Sequence, residues 1–269
     1  MQDTRFVALF DLHFGYDIWE TNTGFQRRAA HDHGMVKIAS EFVKDFEPNI
    51  IIFGGDQIHS SSIGHWSKDK IITHIQDSYT DELDELRDKG LKPIVESAPS
   101  GAQAVFMTGN HEQWLLPYKQ KYPQLQKMLD PHAYLGVSGP NGKKAGWTYV
   151  HQGGRYDLGK LHFVHGDILK QGMMHARSTV YEWNANIRYG HFHTYQAATK
   201  CGQVSDRDKK TAISVPAMCQ CNPEFLKNST NAWMQGFLYG YVSKSGNFSD
   251  YVVIVPGREV IINGKVYSK

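Results

Sequence analysis

The sequence predicts an α/β fold in which the first half alternates strand and helix and the second half completes the sheets with antiparallel pairs. Three features carry this reading. Short uninterrupted apolar runs, "FVALF", "IIIF" and "AVFMT", have the length and texture of buried strands. Between the first two, apolar residues return with a helical period. After "GPNGKKAG" the chain becomes a series of short strand-like runs separated by turn residues.

In order, the first strand is expected over 5–11, followed by a polar, aromatic-bearing loop, "HFGYDIWETNTG". The segment "FQRRAAHDHGMVKIASEFVKDFEPN" places Met35, Val36, Ile38, Ala39, Phe42, Val43 and Phe46 on one helical stripe, and Pro48 closes it. "NIIIFGGD" is the second strand. Residues 68–90 put Ile71, Ile72, Ile75, Tyr79, Leu83 and Leu86 on another helical face, with Gly90 expected as its C-cap. "AVFMTGN" is the third strand, and a helix follows from Trp114 to Leu129, liable to break at Pro117 and Pro123. The later strands are "WTYVHQ", "KLHFVHGD", "NIRYGHFH", "TAISVPAM", "GFLYGYVSKSG" and "DYVVIVPGREVIING", with one helix near 170–185. No repeat, low-complexity tract or linker intervenes, so one domain over 1–269 is expected.

Composition narrows the function classes. The 269 residues are 41% hydrophobic and 12% aromatic, enough for a substantial core. Charged residues make up 21% and nearly cancel, to a formal +2, so there is no strong nucleic-acid footprint in the total. No apolar run approaches the ~20 residues of a membrane span. The start, "MQDTRFVALFDLHFG", lacks the features of a secretory signal. A cytoplasmic protein without membrane contact is therefore expected. Cys201, Cys219 and Cys221 form no CxxC and read as free thiols. Histidine is the outlier, with fourteen copies, several beside Asp, Asn and Gly.

Five strands end alike. "FVALF" runs into Asp11-Leu12-His13, "IIIF" into Gly54-Gly55-Asp56, and "AVFMT" into Gly109-Asn110-His111-Glu112. "LHFV" runs into His165-Gly166-Asp167 and "NIRY" into Gly190-His191-Phe192-His193. In extended chain, residues two apart face the same side, so Asp11 with His13, and His191 with His193, are expected to reach one ion together. Ligands of open α/β sheets gather beyond the carboxyl ends of the strands, where all five groups lie. Imidazole, carboxylate and amide oxygen together suit Mn²⁺, Fe or Zn better than an all-oxygen Mg²⁺ or Ca²⁺ site.

The order DxH, GGD, GNHE, HGD, GHFH resembles the calcineurin-like metallophosphoesterase superfamily, from Asp11 to His193. The resemblance implies a four-layer βαβα sandwich, two mixed sheets flanked by helices, with a dinuclear metal site at the strand ends. It implies that Asp11, His13, Asp56 and His193 hold one ion, and that Asp56, Asn110, His165 and His191 hold the second, Asp56 bridging. The expected cofactors are two divalent ions, Mn²⁺ first, with Fe, Zn, Ni or Mg as alternatives. The implied reaction is attack on phosphorus by a water that the ions activate. His111 would contact the phosphate and protonate the leaving group, which with Asp56 makes the catalytic pair.

The closing GHFH resembles phosphodiesterases and nucleases of the superfamily. Asp56 is followed by "QIHSSS", without the Asp-Arg-Gly run of the serine/threonine phosphatases. A phosphodiesterase, nuclease included, is thus the expected function, acting on a phosphate ester such as a nucleotide or nucleic acid. A phosphomonoesterase or protein phosphatase is the alternative, and a non-catalytic scaffold of the same fold ranks behind both. His59, His65 and Trp19 are candidate substrate contacts. Glu112 is expected to orient an imidazole or to make a surface salt bridge, and Asp167 to support the site or cap a helix. His31 and His33 mimic the HxH spacing but fall in or beside the first helix, where residues two apart diverge, so no chelation is expected there. His74, His132, His151, His162 and His175 read as structural. The run "WLLPYKQKYPQLQK" interleaves Trp114, Tyr118 and Tyr122 with Lys119, Lys121 and Lys127, as a solvated helix face or a base-stacking strip.

Overall fold

In the computed structural model, which describes residues 3–63, 79–125, 130–202, 209–223, 226 and 229–269, the first apolar run forms β1 (Thr4–Leu9) and faces two cores at once. Val7 and Leu9 point to one side and Phe6 and Ala8 to the other, as a strand's twofold alternation requires. After the Asp11–His13 turn the chain makes a hairpin, β2 (Tyr16–Thr21) where a loop was expected and β3 (Gly24–Ala29) over the first residues of the segment expected to be helical. Cross-strand pairing and cations over aromatic rings, Arg27 on Tyr16 and Arg28 on Trp19, hold it. Neither is visible as hydrophobic alternation.

Helix α1 (His33–Phe46) starts where the Asp32 side chain accepts from the N–H groups of Gly34 and Met35, and all seven stripe residues are buried. Strand β4 (Ile50–Phe53) follows. Ile71, Ile72, Ile75, His65 and His74 lie outside the described residues, as does Lys127. Helix α2 (Tyr79–Glu85) passes directly into a π-helical stretch, Leu86–Leu91, and then α3 (Lys92–Glu96). Gly90 is therefore not a C-cap. It lies inside the π turn because Phe14 packs where its Cβ would be.

Beyond β5 (Gln103–Met107), the expected helix is a series of short ones, α4 (Asn110–Gln113), α5 (Leu116–Lys121) and a 3₁₀ turn at Pro123–Leu125. Pro117 and Pro123 each sit at a helix start, where a missing N–H costs nothing. Helices α6 (Pro131–Tyr134) and α7 (Gly139–Lys144) precede β6 (Trp147–Val150). Then come β7 (Tyr156–Leu158), β8 (Leu161–Val164), α8 (His175–Trp183), β9 (Asn186–Tyr189), β10 (Gln196–Lys200) and β11 (Lys210–Ser214). The chain closes with β12 (Gly236–Val242), β13 (Phe248–Ile254) and the hairpin β14 (Glu259–Ile262) and β15 (Lys265–Ser268). Among the described residues no helix is long and apolar enough to cross a membrane.

Two mixed sheets result, ordered β13-β12-β1-β4-β5-β6 and β10-β11-β9-β8-β7. Strands β1, β4 and β5 run parallel, as do β8 and β9. Between the sheets Phe6, Ala8, Phe10, Ile52, Val105 and Met107 meet Leu161, Phe163 and Val215. Outside the first sheet, α1, α3 and the β14–β15 hairpin cover Val7, Leu9, Ile51 and Phe53; outside the second, α8 covers Val164, Ile187 and Tyr189. This is the expected layering of helix, sheet, sheet and helix, with the hairpin sharing one outer layer.

One inter-sheet contact is ionic. Arg188 of β9 is 1% exposed and pairs with Asp250 of β13, while its Nη1 donates to the carbonyls of Ile187 and Thr211. Arg188→Met is expected to cost about 3–5 kcal/mol, because it strands the Asp250 carboxylate. Urea denaturation reads the loss, and Arg188→Met with Asp250→Leu should recover much of it.

Candidate metal centre

Every predicted ligand follows a strand immediately, and the parallel strands of both sheets deliver them to one place. The chain does not arrive there extended. Asp11, His13, Asp56, His191 and His193 have φ of 56°, 49°, 51°, 69° and 56°, in the left-handed region that costs an ordinary side chain about 1 kcal/mol or more. Asp11 and His13 do come together in one donor group, as expected, but through left-handed turns rather than strand alternation. Asp11 and His13 turn out of the sheet while their N–H groups donate to the carbonyls of Gly55 and Asp56, at 3.1 and 3.0 Å. The glycines make room. A Cβ on Gly109 would collide with Asp56, and one on Gly190 with the Asp11 carboxylate.

Two groups of donor atoms result, sharing Asp56. Ligand atoms of Asp11, His13 and Asp56 lie within 4.8 Å of one another, and so do those of Asp56, His165 and His191. His193 joins the first group, its Nε2 3.2 Å from His13 Nε2 and 3.7 Å from Asp11 Oδ1. Asn110 joins the second, its Oδ1 3.1 Å from His165 Nε2. Asp56 Oδ2 is 3.2 Å from His165 Nε2 and 3.9 Å from both His13 and His111 Nε2. His191 and His193 thus serve different groups.

The electrostatics suit cations. Asp11 and Asp56 are 0% and 1% exposed, and among the described residues their ion-pair partners are all histidines. Burial drives the Asp11 carboxyl well above the usual range, the neighbouring Asp56 adding to it. Burial also acts on Asp56, but His165 and His111 outweigh it and hold Asp56 well below that range. His165 resists burial because Asp56 and Asp11 push its pKa up to about 10. Burial lowers His13 well below its ordinary value and takes His193 to about 3. His13, His111, His191 and His193 thus present unprotonated imidazole nitrogens beside the buried carboxylates, while His165 keeps its proton until an ion replaces it, a donor set complementary to two divalent ions.

The sequence profile of the calcineurin-like phosphoesterases matches residues 4–219. The chain belongs to this family. A sequence search of curated proteins finds no match. Among solved structures, Vps29 from Chaetomium thermophilum is similar over 93% of this chain and 97% of its own, at 8% identity and a TM-score of 0.36. A 5'-nucleotidase precursor from Thermus thermophilus is similar over 94% of this chain, at 12% identity and a TM-score of 0.43, and the match spans 54% of that protein. Likeness at this distance carries no functional argument. Calcineurin-like phosphoesterases hydrolyse phosphoester bonds, generally with bound metal, and the His/Asp clusters of this chain fit such a site.

Around the calcineurin-like centre, His111 Nδ1 donates to the His59 carbonyl at 2.8 Å, which leaves Nε2 facing Asp56, and Trp114 packs on the ring at 3.8 Å between centroids. Burial takes His111 to about 4. His59 belongs to the site as well, Nδ1 3.3 Å from His13 Nδ1 and Nε2 3.3 Å from Asp17 of the hairpin. Trp19 lies further along β2, beneath Arg28, rather than in the cluster. Glu112 neither orients an imidazole nor lies at the surface. It is 3% exposed and its carboxylate accepts from the N–H groups of Asp56, Gln57, Ile58 and Gly109, fastening the GGD and GNHE turns together. Asp167 accepts from Gln152 and caps no helix. Tyr118 and Tyr122 are exposed, and Lys121 lies over the Tyr122 ring.

Three contributors carried no sequence signal. Asp17 lies in a segment that read as loop. Cys219, a free thiol, is buried 3.8 Å from His193 Nδ1, and Trp233 packs edge-on to the His193 ring. Among the structural candidates, His132 bonds Thr108 and Tyr149, His162 bonds Asp157, and His175 bonds Tyr189 and Thr194.

Proposed function

We propose that this chain, acting as one domain, is a metal-dependent phosphodiesterase, with nucleic acid or a nucleotide as substrate. The observation that carries the reading is the make-up of the site. Among the described residues, the side chains that hydrogen-bond or pack against the cluster are histidines, carboxylates, an asparagine, a phenylalanine, a thiol and tryptophans, with no arginine or lysine in direct contact. A diester brings one negative charge and a monoester brings up to two, so a site without a fixed guanidinium or ammonium favours the diester. Bound at the two donor groups, divalent cations would polarise the phosphoryl oxygens and lower the pKa of an attacking water.

The protein's own groups do the rest. Asp56 holds the two donor groups in register. Asn110 and His165 on one side and His13 and His193 on the other fix where a phosphoryl group can sit. His111 presents Nε2 toward that position because its Nδ1 is committed to the His59 carbonyl. An incoming anion raises the affinity of that nitrogen for a proton, which it then passes to the leaving oxygen; such acid catalysis contributes typically ~10²–10⁴-fold.

With Mn²⁺ added, bis-p-nitrophenyl phosphate is expected to react with a kcat/KM at least about tenfold above that of p-nitrophenyl phosphate, and EDTA should remove both activities. A monoester preference overturns the diesterase reading. Full metal content with neither activity points instead to a scaffold. Single-stranded DNA, duplex DNA, RNA and cyclic nucleotides then resolve the substrate.

A further inference from the structure

A second histidine cluster stands apart from the centre just described and shares no donor atom with it. His31 and His33 were expected to diverge on a helix. The helix begins only at His33, and Asp32, its N-cap, is extended with φ −127°. The bend at Asp32 turns the two rings toward each other, with Nε2 atoms 3.2 Å apart. Glu85, the last residue of α2, supplies Oε1 at 3.8 Å from His31 Nε2 and 3.9 Å from His33 Nε2.

The 3.2 Å separation also suits a hydrogen bond between the two imidazoles, and the three separations together define a donor triangle. The two nitrogen–oxygen distances are too long for hydrogen bonds. A triangle with these three sides has a circumradius of about 2.1 Å, so a single point lies that far from all three donor atoms. That is the length of a zinc–imidazole or zinc–carboxylate bond, about 2.0–2.2 Å. Two of the three ligands, His31 and Glu85, are also held from behind, as metal ligands usually are. His31 Nδ1 lies 3.1 Å from the Gly15 carbonyl, to which it can donate, and 3.3 Å from the Gly15 nitrogen. Phe14 stacks on the His31 ring at 4.4 Å with an interplanar angle of 3°. Glu85 Oε2 accepts from the Tyr16 hydroxyl at 3.0 Å.

We propose that His31, His33 and Glu85 form a third cation site, selective for a borderline ion such as Zn²⁺, with water completing its coordination. Two nitrogens and one carboxylate oxygen disfavour Mg²⁺ and Ca²⁺, which take oxygen ligands. The site clasps three stretches of chain: the Phe14–Tyr16 turn after His13, the start of α1, and the junction where α2 becomes a π-helix. Irregular helical turns of that kind recur at functional sites. The Lys89 ammonium, 2.9 Å from Glu85 Oε1, occupies one lone pair and must swing away when the ion enters; its exposed stem allows this.

The test counts Zn²⁺ retained after gel filtration, by plasma mass spectrometry, on the full chain and on His33→Ala. His33 is half exposed at its side chain, so the variant should fold, and circular dichroism checks it. His33→Ala is expected to hold one equivalent fewer than the unaltered protein, and Glu85→Gln likewise, while Lys89→Met binds Zn²⁺ more tightly. The occupancy of the other centre cancels in the difference. If that centre held no metal, the counts would be one and zero. Equal counts in the two proteins, or no anomalous peak between the two Nε2 atoms in zinc-soaked crystals, overturn the proposal.

Discussion

Asp56→Asn is expected to lower kcat/KM for the diester by at least about 10³-fold and to deplete both ions of the main centre. The substitution changes one atom and one charge. Asparagine keeps an oxygen to accept from the His111 N–H, which Asp56 Oδ1 does at 2.9 Å, so the GNHE turn should hold. What disappears is the negative charge that both donor groups share, since Asp56 is the residue common to the two. A lost anionic bridge weakens binding of two cations at once, and several kcal/mol of charge stabilisation correspond to three or more powers of ten in rate. The check is steady-state kinetics together with bound metal counted on the same sample. An Asp56→Asn protein that retained full metal and full activity would remove Asp56 from the mechanism.

Glu112→Ala is the second large effect, and it acts on stability. The side chain accepts from Gln57 N–H at 2.7 Å and Gly109 N–H at 2.8 Å, with longer contacts to Asp56 and Ile58. Each buried donor left without a partner costs about 1–3 kcal/mol. Two well-formed bonds and two weaker ones put the loss near 4 kcal/mol, or about 8–16 °C in Tm for a protein of this size. The turn carrying Asp56 loses its anchor too, so activity should fall even in the folded fraction. Glu112→Gln keeps one acceptor and should sit between. There is a pH component as well. Burial, with the Asp56 charge, raises Glu112 from 4.5 to about 7 in the ion-free fold. A folded pKa above the unfolded one means a contribution present below pH 4.5 and lost as the pH rises through about 7. Thermal melts of EDTA-treated protein across that window should show the decline, and Glu112→Ala should remove it.

Residues whose role depends on near neighbours in sequence were readable directly. Met35 through Phe46 show their buried face by period alone, and each metal-centre donor stands one to four residues beyond an apolar strand. Roles set by distant partners were hidden. Nothing near Arg188 in sequence marks its partner, Asp250, which lies 62 positions away and meets it between the sheets. Glu112 reads as a partner for an imidazole or a surface cation until the turn at Asp56 folds over it, and Cys219 has no motif to betray its place beside His193. The rings of His31 and His33 converge, against expectation, because the helix starts only at His33 and the extended Asp32 turns one ring toward the other.

Apolar runs and helical period therefore specified the α/β class, and the strand-end clusters of Asp, Asn and His marked the candidate donors, since those depend on short-range order along the chain. The left-handed turns that aim the donors, the Glu112 clamp, the Arg188–Asp250 bridge and the His31–His33–Glu85 triangle arise only on folding. Each needs backbone groups or side chains from segments far apart in sequence, and no local pattern encodes the distance between them.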